Sequence, residues 1–114
     1  MAAGQVIAMI AIIASMYGVE PKMMDCMVRA ESDYNIYAEN GIHKGPGQYN
    51  PDTFAWFMSM AQEDAAFPHK DVVVNDRTDP VSALTLMAWA IKNGYAEHWS
   101  TWELCVEGKN EEIN

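Results

Sequence analysis

The chain has 114 residues, half of them hydrophobic, which fits one domain with a small core. Sixteen acidic residues against seven basic ones give a formal net charge of -9 at pH 7. This balance argues against binding to nucleic acid or to an anionic membrane surface, because both need clustered Lys and Arg.

An uncharged stretch opens the chain, and no charged side chain precedes Glu20. Its apolar residues recur at helical intervals, which predicts a first helix from about Gln5 to Tyr17. The expected core face of this helix consists of Val6, Ile10, Ile13 and Tyr17. Gly18 follows directly, and glycine often stands just past a helix. Since the helix is apolar on most sides, we expect it to be buried in the centre of the fold.

The same stretch has an alternative interpretation as a membrane segment. It is borderline in length for a span and is interrupted by Gly4, Gln5, Ser15 and Gly18. It also lacks the positively charged start of a signal peptide. We therefore expect no stable membrane span, and an export signal would have to precede this chain.

Pro21 predicts the start of a second helix, because its missing N–H costs nothing in the first turn. The residues that follow at helical spacing are Met24, Met27, Val28 and Glu31. The helix is expected to end between Asp33 and Asn35. A long loop rich in glycine and asparagine, NIYAENGIHKGPGQYNPDT, comes next.

Two more helices are predicted after this loop. Asn50 and Pro51 mark the start of the third, as its cap and first residue, and Asp79 and Pro80 mark the start of the fourth. Their apolar faces consist of Phe54, Phe57, Met58 and Ala61, and of Leu84, Ala88, Ile91 and Tyr95. The intervening FPHKDVVVNDRT is expected to be a loop, since its VVV has no evident partner strand.

The predicted fold class is therefore all-α, with a mainly helical domain over residues 1–106 and little or no sheet. No internal repeat or low-complexity linker divides the chain. Residues 107–114, EGKNEEIN, are expected to form a flexible C-terminal tail.

Glu31 continues the apolar face of the second helix, which places a carboxyl group at the edge of the core. Burial disfavours the charged carboxylate, and so does the partial negative charge at a helix C-terminus. Both effects favour a carboxylic acid that keeps its proton near neutral pH, as a general acid in a glycosidase must. Periodicity alone favours a plainer interpretation, a partly exposed glutamate at a helix end.

An ordered set of short motifs surrounds this glutamate. Tyr-Gly-Val-Glu-Pro occupies positions 17–21, Glu-Ser occupies 31–32, and the loop ends with Gly-Pro-Gly-Gln at 45–48 and Pro-Asp-Thr at 51–53. Over residues 6–105 the chain resembles the lytic transglycosylases of the lysozyme-like superfamily. It departs from that family at positions 46–47, where many relatives carry Leu-Met. It also lacks the later Tyr-Asn-Ala-Gly motif of longer relatives.

The resemblance implies a role for each motif residue. Glu31 would be the catalytic acid, and Ser32 would help to orient its carboxyl group. Gln48 would bind the sugar across the cleft through an amide that both donates and accepts hydrogen bonds. Tyr49 and Tyr95 are candidates for packing on the sugar, and Tyr95 would supply a ring in place of the absent tyrosine motif.

The two cysteines, Cys26 and Cys105, form no CxxC pattern. Their spacing alone leaves a bridge and two buried thiols equally open. Small members of the family it resembles often pair a cysteine just before the catalytic glutamate with one near the C-terminus, which implies a Cys26–Cys105 disulfide. A disulfide fits an oxidising compartment, so we expect an extracytoplasmic protein: secreted, periplasmic, in the cell wall, or virion-associated.

The resemblance also implies a reaction with a single carboxyl group. Glu31 would cleave the β-1,4 bond between N-acetylmuramic acid and N-acetylglucosamine in peptidoglycan, forming a 1,6-anhydro product. If Glu39 or Asp52 positioned a water molecule, the protein would instead be a lysozyme-type hydrolase, or muramidase. A non-catalytic glycan-binding or structural protein of an envelope or virion is a further alternative.

No cofactor is predicted. His43, His69 and His98 are scattered without metal-ligand spacing and are expected on the surface or in loops. Peptidoglycan glycan strands are the expected partner of a monomeric protein. Core packing is the favoured interpretation of three tryptophans, Trp56, Trp99 and Trp102, with packing on a sugar face as the alternative for Trp56.

Overall fold

Five α-helices account for most of the residues that the structure describes. The structure is a computed structural model that describes residues 1–113, with side chains up to residue 106. The helices are α1 (Ala3–Tyr17), α2 (Pro21–Ser32), α3 (Pro51–Glu63), α4 (Pro80–Lys92) and α5 (Ser100–Ile113). A short 3-10 helix, Ala96–His98, precedes α5, and the strands β1 (Glu39–Asn40) and β2 (His43–Lys44) form a small antiparallel sheet. The all-α prediction is confirmed.

Helices α2, α3 and α4 begin at the prolines that the sequence indicates, whereas α5, which contains Cys105, was not predicted. The Asn50 side chain accepts a hydrogen bond from the backbone N–H of Thr53 at 2.8 Å, and the Asp79 side chain accepts one from Ser82 at 3.0 Å. Each cap is followed by a proline in the first turn. Gly18 ends α1 with φ of 69°, a left-handed conformation that glycine adopts without steric cost.

The centre of the core is α4, and not α1 as predicted. Nine consecutive residues of α4, positions 82–90, are buried. The predicted inner face of α1 is also buried, but Ile7, Ile12 and Met16 on its other side are 41%, 63% and 57% exposed. The expectation was wrong because α1 packs against α2 and α4, which cover only one side of it.

The loop after α2 is a short hairpin fixed to the body of the domain. Glu39 pairs with Lys44 in the two-stranded sheet, and Lys44 also forms a bridge with Tyr49. Gly45 has φ of 84°, and a Cβ at this position would collide with the backbone carbonyl of Arg77. Arg77 in turn donates hydrogen bonds to the carbonyl oxygens of Ile42 (2.6 Å) and Tyr49 (3.0 Å). The segment before α4 therefore holds the loop in place.

A disulfide between Cys26 of α2 and Cys105 of α5 closes the other side of the domain. The bridge that the sequence left open is thus formed, in agreement with the resemblance.

No helix within the described part of the chain is long and apolar enough to cross a membrane. The tail predicted at residues 107–114 lies outside the residues whose side chains the structure describes.

Candidate active site

A cleft of about 160 Å³ lies where α2, the hairpin loop, α3 and the start of α5 meet. Most of its lining side chains are polar, and two of them, Tyr49 and Trp99, belong to the aromatic core. The lining residues are Glu31, His43, Gln48, Tyr49, Asn50, Thr53, His98, Trp99 and Ser100. Three of the five residues predicted to act on a glycan, Glu31, Gln48 and Tyr49, therefore border one cleft.

Glu31 lies in the last turn of α2 and is half-buried. The hydroxyl of Thr101, in the first turn of α5, donates a hydrogen bond of 2.8 Å to its Oε2 atom. The Cys26–Cys105 disulfide joins the same two helices about one turn away from this contact. A residue that is distant in the sequence thus fixes the carboxyl group of Glu31 through its Oε2 atom, and this contact does not involve Oε1.

Ser32 does not line the cleft. Its side chain is buried, and its hydroxyl donates a hydrogen bond of 3.0 Å to the carbonyl oxygen of Val28, one turn back in α2. Thr101, and not Ser32 as the resemblance implies, supplies the hydroxyl that contacts Glu31. Position 101 carried no local motif that would have identified it.

Gln48 lies at the turn of the loop with φ of 48°, which is unusual for a residue other than glycine. Its amide nitrogen donates hydrogen bonds of 3.0 Å to the carbonyl oxygens of both Ala38 and Gly45. The nitrogen therefore braces the loop. The amide oxygen is the part of Gln48 that can accept a hydrogen bond from a ligand in the cleft.

Tyr49 forms part of the floor of the cleft and belongs mainly to the core, since it is only 2% exposed. Its hydroxyl donates a hydrogen bond of 2.7 Å to the carbonyl oxygen of Ala83 in α4, and its ring packs edge-on against Phe54 and Trp99. Burial raises the pKa of Tyr49 well above its usual value, so the hydroxyl stays protonated. Tyr49 thus shapes the cleft from below.

Tyr95 lies outside the cleft, in the segment between α4 and the 3-10 helix. Its ring stacks on Trp89 at a centroid distance of 5.9 Å and contacts Trp56 edge-on at 5.5 Å. With His98 it lines a neighbouring depression of about 180 Å³. The structure therefore places Tyr95 next to the candidate site and not in it.

Two histidines border the cleft, a placement that their positions in the sequence do not predict. His43 and His98 are exposed, as predicted, and they come from the hairpin and the 3-10 helix. A scattered histidine gives no sequence signal of this kind, because only the folded chain brings positions 43 and 98 to the rim of one cavity. An imidazole at each position offers nitrogen atoms that hydrogen-bond to a polar ligand.

Glu31 is the only carboxylate among the side chains that line the cleft in the described part of the chain. Glu39, one of the two candidates for a second acid, is exposed and lies 3.8 Å from the ammonium group of Lys44. Asp52, the other candidate, is exposed in the first turn of α3. A carboxylate favours that position because of the positive end of the helix dipole.

Comparison with known proteins gave no relative for this chain. No protein-family model matches it, and neither the curated proteins nor the solved structures contain a significant match. The resemblance to lytic transglycosylases therefore rests on short sequence patterns.

Proposed function

We propose that the protein is a lytic transglycosylase that cleaves peptidoglycan glycan strands between N-acetylmuramic acid and N-acetylglucosamine. The observation that carries this proposal is the joint placement of Glu31 and Gln48 in one cleft with no second carboxylate among its described lining residues. A cleft that holds a single fixed carboxyl group among polar and aromatic side chains suits one group acting first as an acid and then as a base.

Glu31 carries out both proton transfers in the proposed reaction. In its protonated form it donates a proton to the glycosidic oxygen, and the bond between this oxygen and C1 of N-acetylmuramic acid breaks. The acetamido carbonyl of the same sugar stabilises the positive charge that develops at C1. The Glu31 carboxylate then removes the proton from the C6 hydroxyl, whose oxygen bonds to C1. The product is a 1,6-anhydro sugar, no water is consumed, and Glu31 regains its proton.

Two further residues have supporting roles in the proposed reaction. Thr101 engages Oε2 of Glu31, which leaves Oε1 for the transferred proton. Gln48 lines the cleft, and because its amide nitrogen is used in the loop, its amide oxygen is the group proposed to accept a hydrogen bond from a sugar hydroxyl or an acetamido N–H. In this role Gln48 positions the substrate, while its nitrogen keeps the loop in shape.

The positions of the other acids favour transglycosylation over hydrolysis. An inverting hydrolase needs a second carboxylate across the scissile bond to activate water, and a retaining one needs a second carboxylate as nucleophile. Neither Glu39 nor Asp52 lines the cleft. We place the reaction outside the cytoplasm, where peptidoglycan is found and where a disulfide such as Cys26–Cys105 persists.

Mass spectrometry of digested peptidoglycan tests the proposal directly. The wild-type protein should release 1,6-anhydro muropeptides. Glu31→Gln should reduce their release by about a hundredfold or more, with equal or higher thermal stability, because it removes the proton donor but keeps the shape of the side chain. Glu39→Gln and Asp52→Asn are matched controls and should retain activity.

Each other result has a definite meaning. Reducing-end muropeptides would make the protein a hydrolase, and loss of activity in Asp52→Asn or Glu39→Gln would identify its second carboxylate. Intact peptidoglycan after treatment with wild-type protein would contradict the enzymatic assignment and favour a non-catalytic glycan-binding protein. Unchanged turnover in Glu31→Gln would remove Glu31 from the mechanism.

A further inference from the structure

A group of partly exposed rings lies beside the cleft. Trp56 of α3 is 44% exposed, although the sequence analysis expected it in the core. Its ring centroid lies 5.5 Å from that of Tyr95 and 5.4 Å from that of His98. Phe57, which is fully buried, packs beneath Trp56 at 5.4 Å with nearly parallel ring planes. The three surface rings, Trp56, Tyr95 and His98, are called the aromatic platform below.

The aromatic platform is continuous with the cleft of Glu31. His98 lines both the cleft and the neighbouring depression, in which it is joined by Gly94, Tyr95 and Glu97. Thr53, which lines the cleft, stands three positions before Trp56 in α3. Residues at this spacing share a helix face and lie about 5 Å apart along the axis. A linear ligand that fills the cleft can therefore extend onto the platform.

The chemistry of the platform suits a sugar ring. The faces of a pyranose carry C–H groups that pack on aromatic rings, while its hydroxyls need hydrogen-bonding partners at the rim. Trp56 and Tyr95 supply ring surface, and Glu97 and His98 supply polar groups beside it. Phe57 supports Trp56 from below, so the indole is fixed before a ligand arrives, which limits the entropy lost on binding.

We propose that the aromatic platform is a saccharide-binding subsite that holds a sugar unit of the glycan strand outside the catalytic cleft. The ligand class is a β-1,4-linked chain of N-acetylated amino sugars, and this choice rests on the proposed function. His98 borders both the cleft and the neighbouring depression, so a bound strand would be held in the cleft on one side of His98 and on the other two rings of the platform on the other side. Binding should then depend on chain length, because only a longer oligomer reaches from the cleft to the platform.

Titration with β-1,4-linked N-acetylglucosamine oligomers of increasing length tests this subsite. Calorimetry measures the binding to the full chain carrying Glu31→Gln, because this variant should not cleave the oligomers during the titration. In this background the affinity should rise with oligomer length until the platform is filled. Adding Trp56→Ala should weaken binding of the longest oligomers about two- to tenfold and leave the shortest ones unchanged. Ile12→Ala, which truncates an exposed apolar residue on α1, is the control and should change neither.

A second variant protects the test against misfolding. Trp56→Leu retains apolar contact with Phe57 but offers no ring face, and it should show the same length-dependent loss. The subsite would be refuted if both Trp56 variants bound every oligomer as tightly as the parent chain, which carries only Glu31→Gln. It would also be refuted if the parent chain bound no oligomer.

Digestion by the wild-type protein separates the two proposals. If the wild type releases anhydro products but the Trp56 variants bind every oligomer as tightly as the parent, the enzymatic function is supported and the subsite is refuted. If binding depends on oligomer length and on Trp56 but the wild type digests no peptidoglycan, the subsite is supported and the enzymatic function is refuted.

Discussion

Glu31 is fixed by a residue 70 positions away along the chain, since Thr101 donates a hydrogen bond to its Oε2 atom. A carboxyl group that can rotate freely spends little time in a reactive geometry, so a fixed one lowers the entropic part of the barrier. Thr101 does not need to touch the substrate for this purpose. It acts through Glu31 and is therefore a positioning residue in the proposed reaction.

Replacing Thr101 tests this role. Thr101→Val keeps the shape of the side chain but removes the hydroxyl, and a hydrogen bond to a charged group contributes about 1.5–3 kcal/mol. We expect kcat to fall about 10- to 100-fold while KM changes little, because the affected group handles protons and does not bind the sugar. Initial rates of glycan-strand cleavage over a range of substrate concentrations provide both constants.

The conservative variant distinguishes positioning from general stability. Thr101→Ser retains the hydroxyl and should restore most of kcat, even if it is slightly less stable than the valine variant. A serine variant as slow as the valine variant, or a change confined to KM, would contradict the positioning role.

At this scale the sequence predicted the residues that belong to local motifs and missed those that depend on the tertiary fold. Glu31 and Gln48 stood out because short patterns surround them. Thr101 was accessible only through the cysteines: it precedes Cys105 by four positions and Glu31 follows Cys26 by five. In two antiparallel helices joined by that bridge, positions 31 and 101 face each other. The resemblance implied this bridge, but no helix was predicted around Cys105, so the pairing of positions 31 and 101 did not follow from it.

At the scale of elements, α2 and α5 form the frame of the site. Their disulfide closes a loop of 79 residues, which in the chain-entropy model stabilises the fold by about 4–5 kcal/mol. The contact between Thr101 and Glu31 joins the same pair of helices. The bridge therefore supports both the stability of the domain and the geometry of its carboxyl group.

Removing the bridge should lower stability and activity together. We expect the double variant Cys26→Ser with Cys105→Ser to lose about 4 kcal/mol in its free energy of unfolding, measured by urea denaturation under oxidising conditions. Its cleavage rate at a temperature where it remains folded should also fall, because α5 is no longer tied to α2 beside Glu31. Reductant should destabilise the wild type and leave the double variant unchanged. A wild type that is indifferent to reductant while its thiols become titratable would contradict this expectation.

The boundaries of α1 to α4 were predicted closely, whereas the existence of α5 and the depth of the helices in the fold were not. Asn50, Asp79 and Gly18 mark helix ends through hydrogen bonds and backbone angles that are local properties. Both α1 and α4 are apolar, so composition does not distinguish them. The number of elements that pack around a helix decides whether it is central, and this number depends on the tertiary fold. The loop was recognised by composition, but its hairpin register and its attachment through Arg77 depend on distant carbonyls.

On the scale of the whole molecule, the cleft exists only where five segments converge. Its lining comes from α2, the hairpin loop, α3, the 3-10 helix and the start of α5. The helical class followed from periodicity and capping signals, but convergence is a property of the tertiary fold. The sequence could thus predict the catalytic candidate and the class of fold, and it could not predict the rim histidines or the exposure of Trp56.

Three tyrosines make the folded state sensitive to alkaline pH. Burial, followed by the charge of Asp64, raises the pKa of Tyr17 from 10.0 to about 12. Burial also raises the pKa of Tyr49 and, together with a hydrogen bond to Asp25, that of Tyr34. The hydroxyl of Tyr17 additionally shares a hydrogen bond of 2.6 Å with Nδ1 of His69. Each of these groups keeps its proton in the folded chain at a pH where the unfolded chain has lost it.

The free energy of unfolding should therefore fall as pH rises from 10 to 12. Below pH 10, Tyr17 is protonated in both states and contributes no pH dependence; between 10 and about 12 only the unfolded chain releases its proton, so rising pH favours unfolding. Tyr17→Phe should cost about 0.5–1.5 kcal/mol at neutral pH through the lost hydrogen bond, and its stability should fall less steeply above pH 10. Urea denaturation over this pH range measures both effects, with Tyr37→Phe, at a ring that is 69% exposed, as the control. Equal slopes for wild type and Tyr17→Phe would mean that other groups cause the alkaline loss.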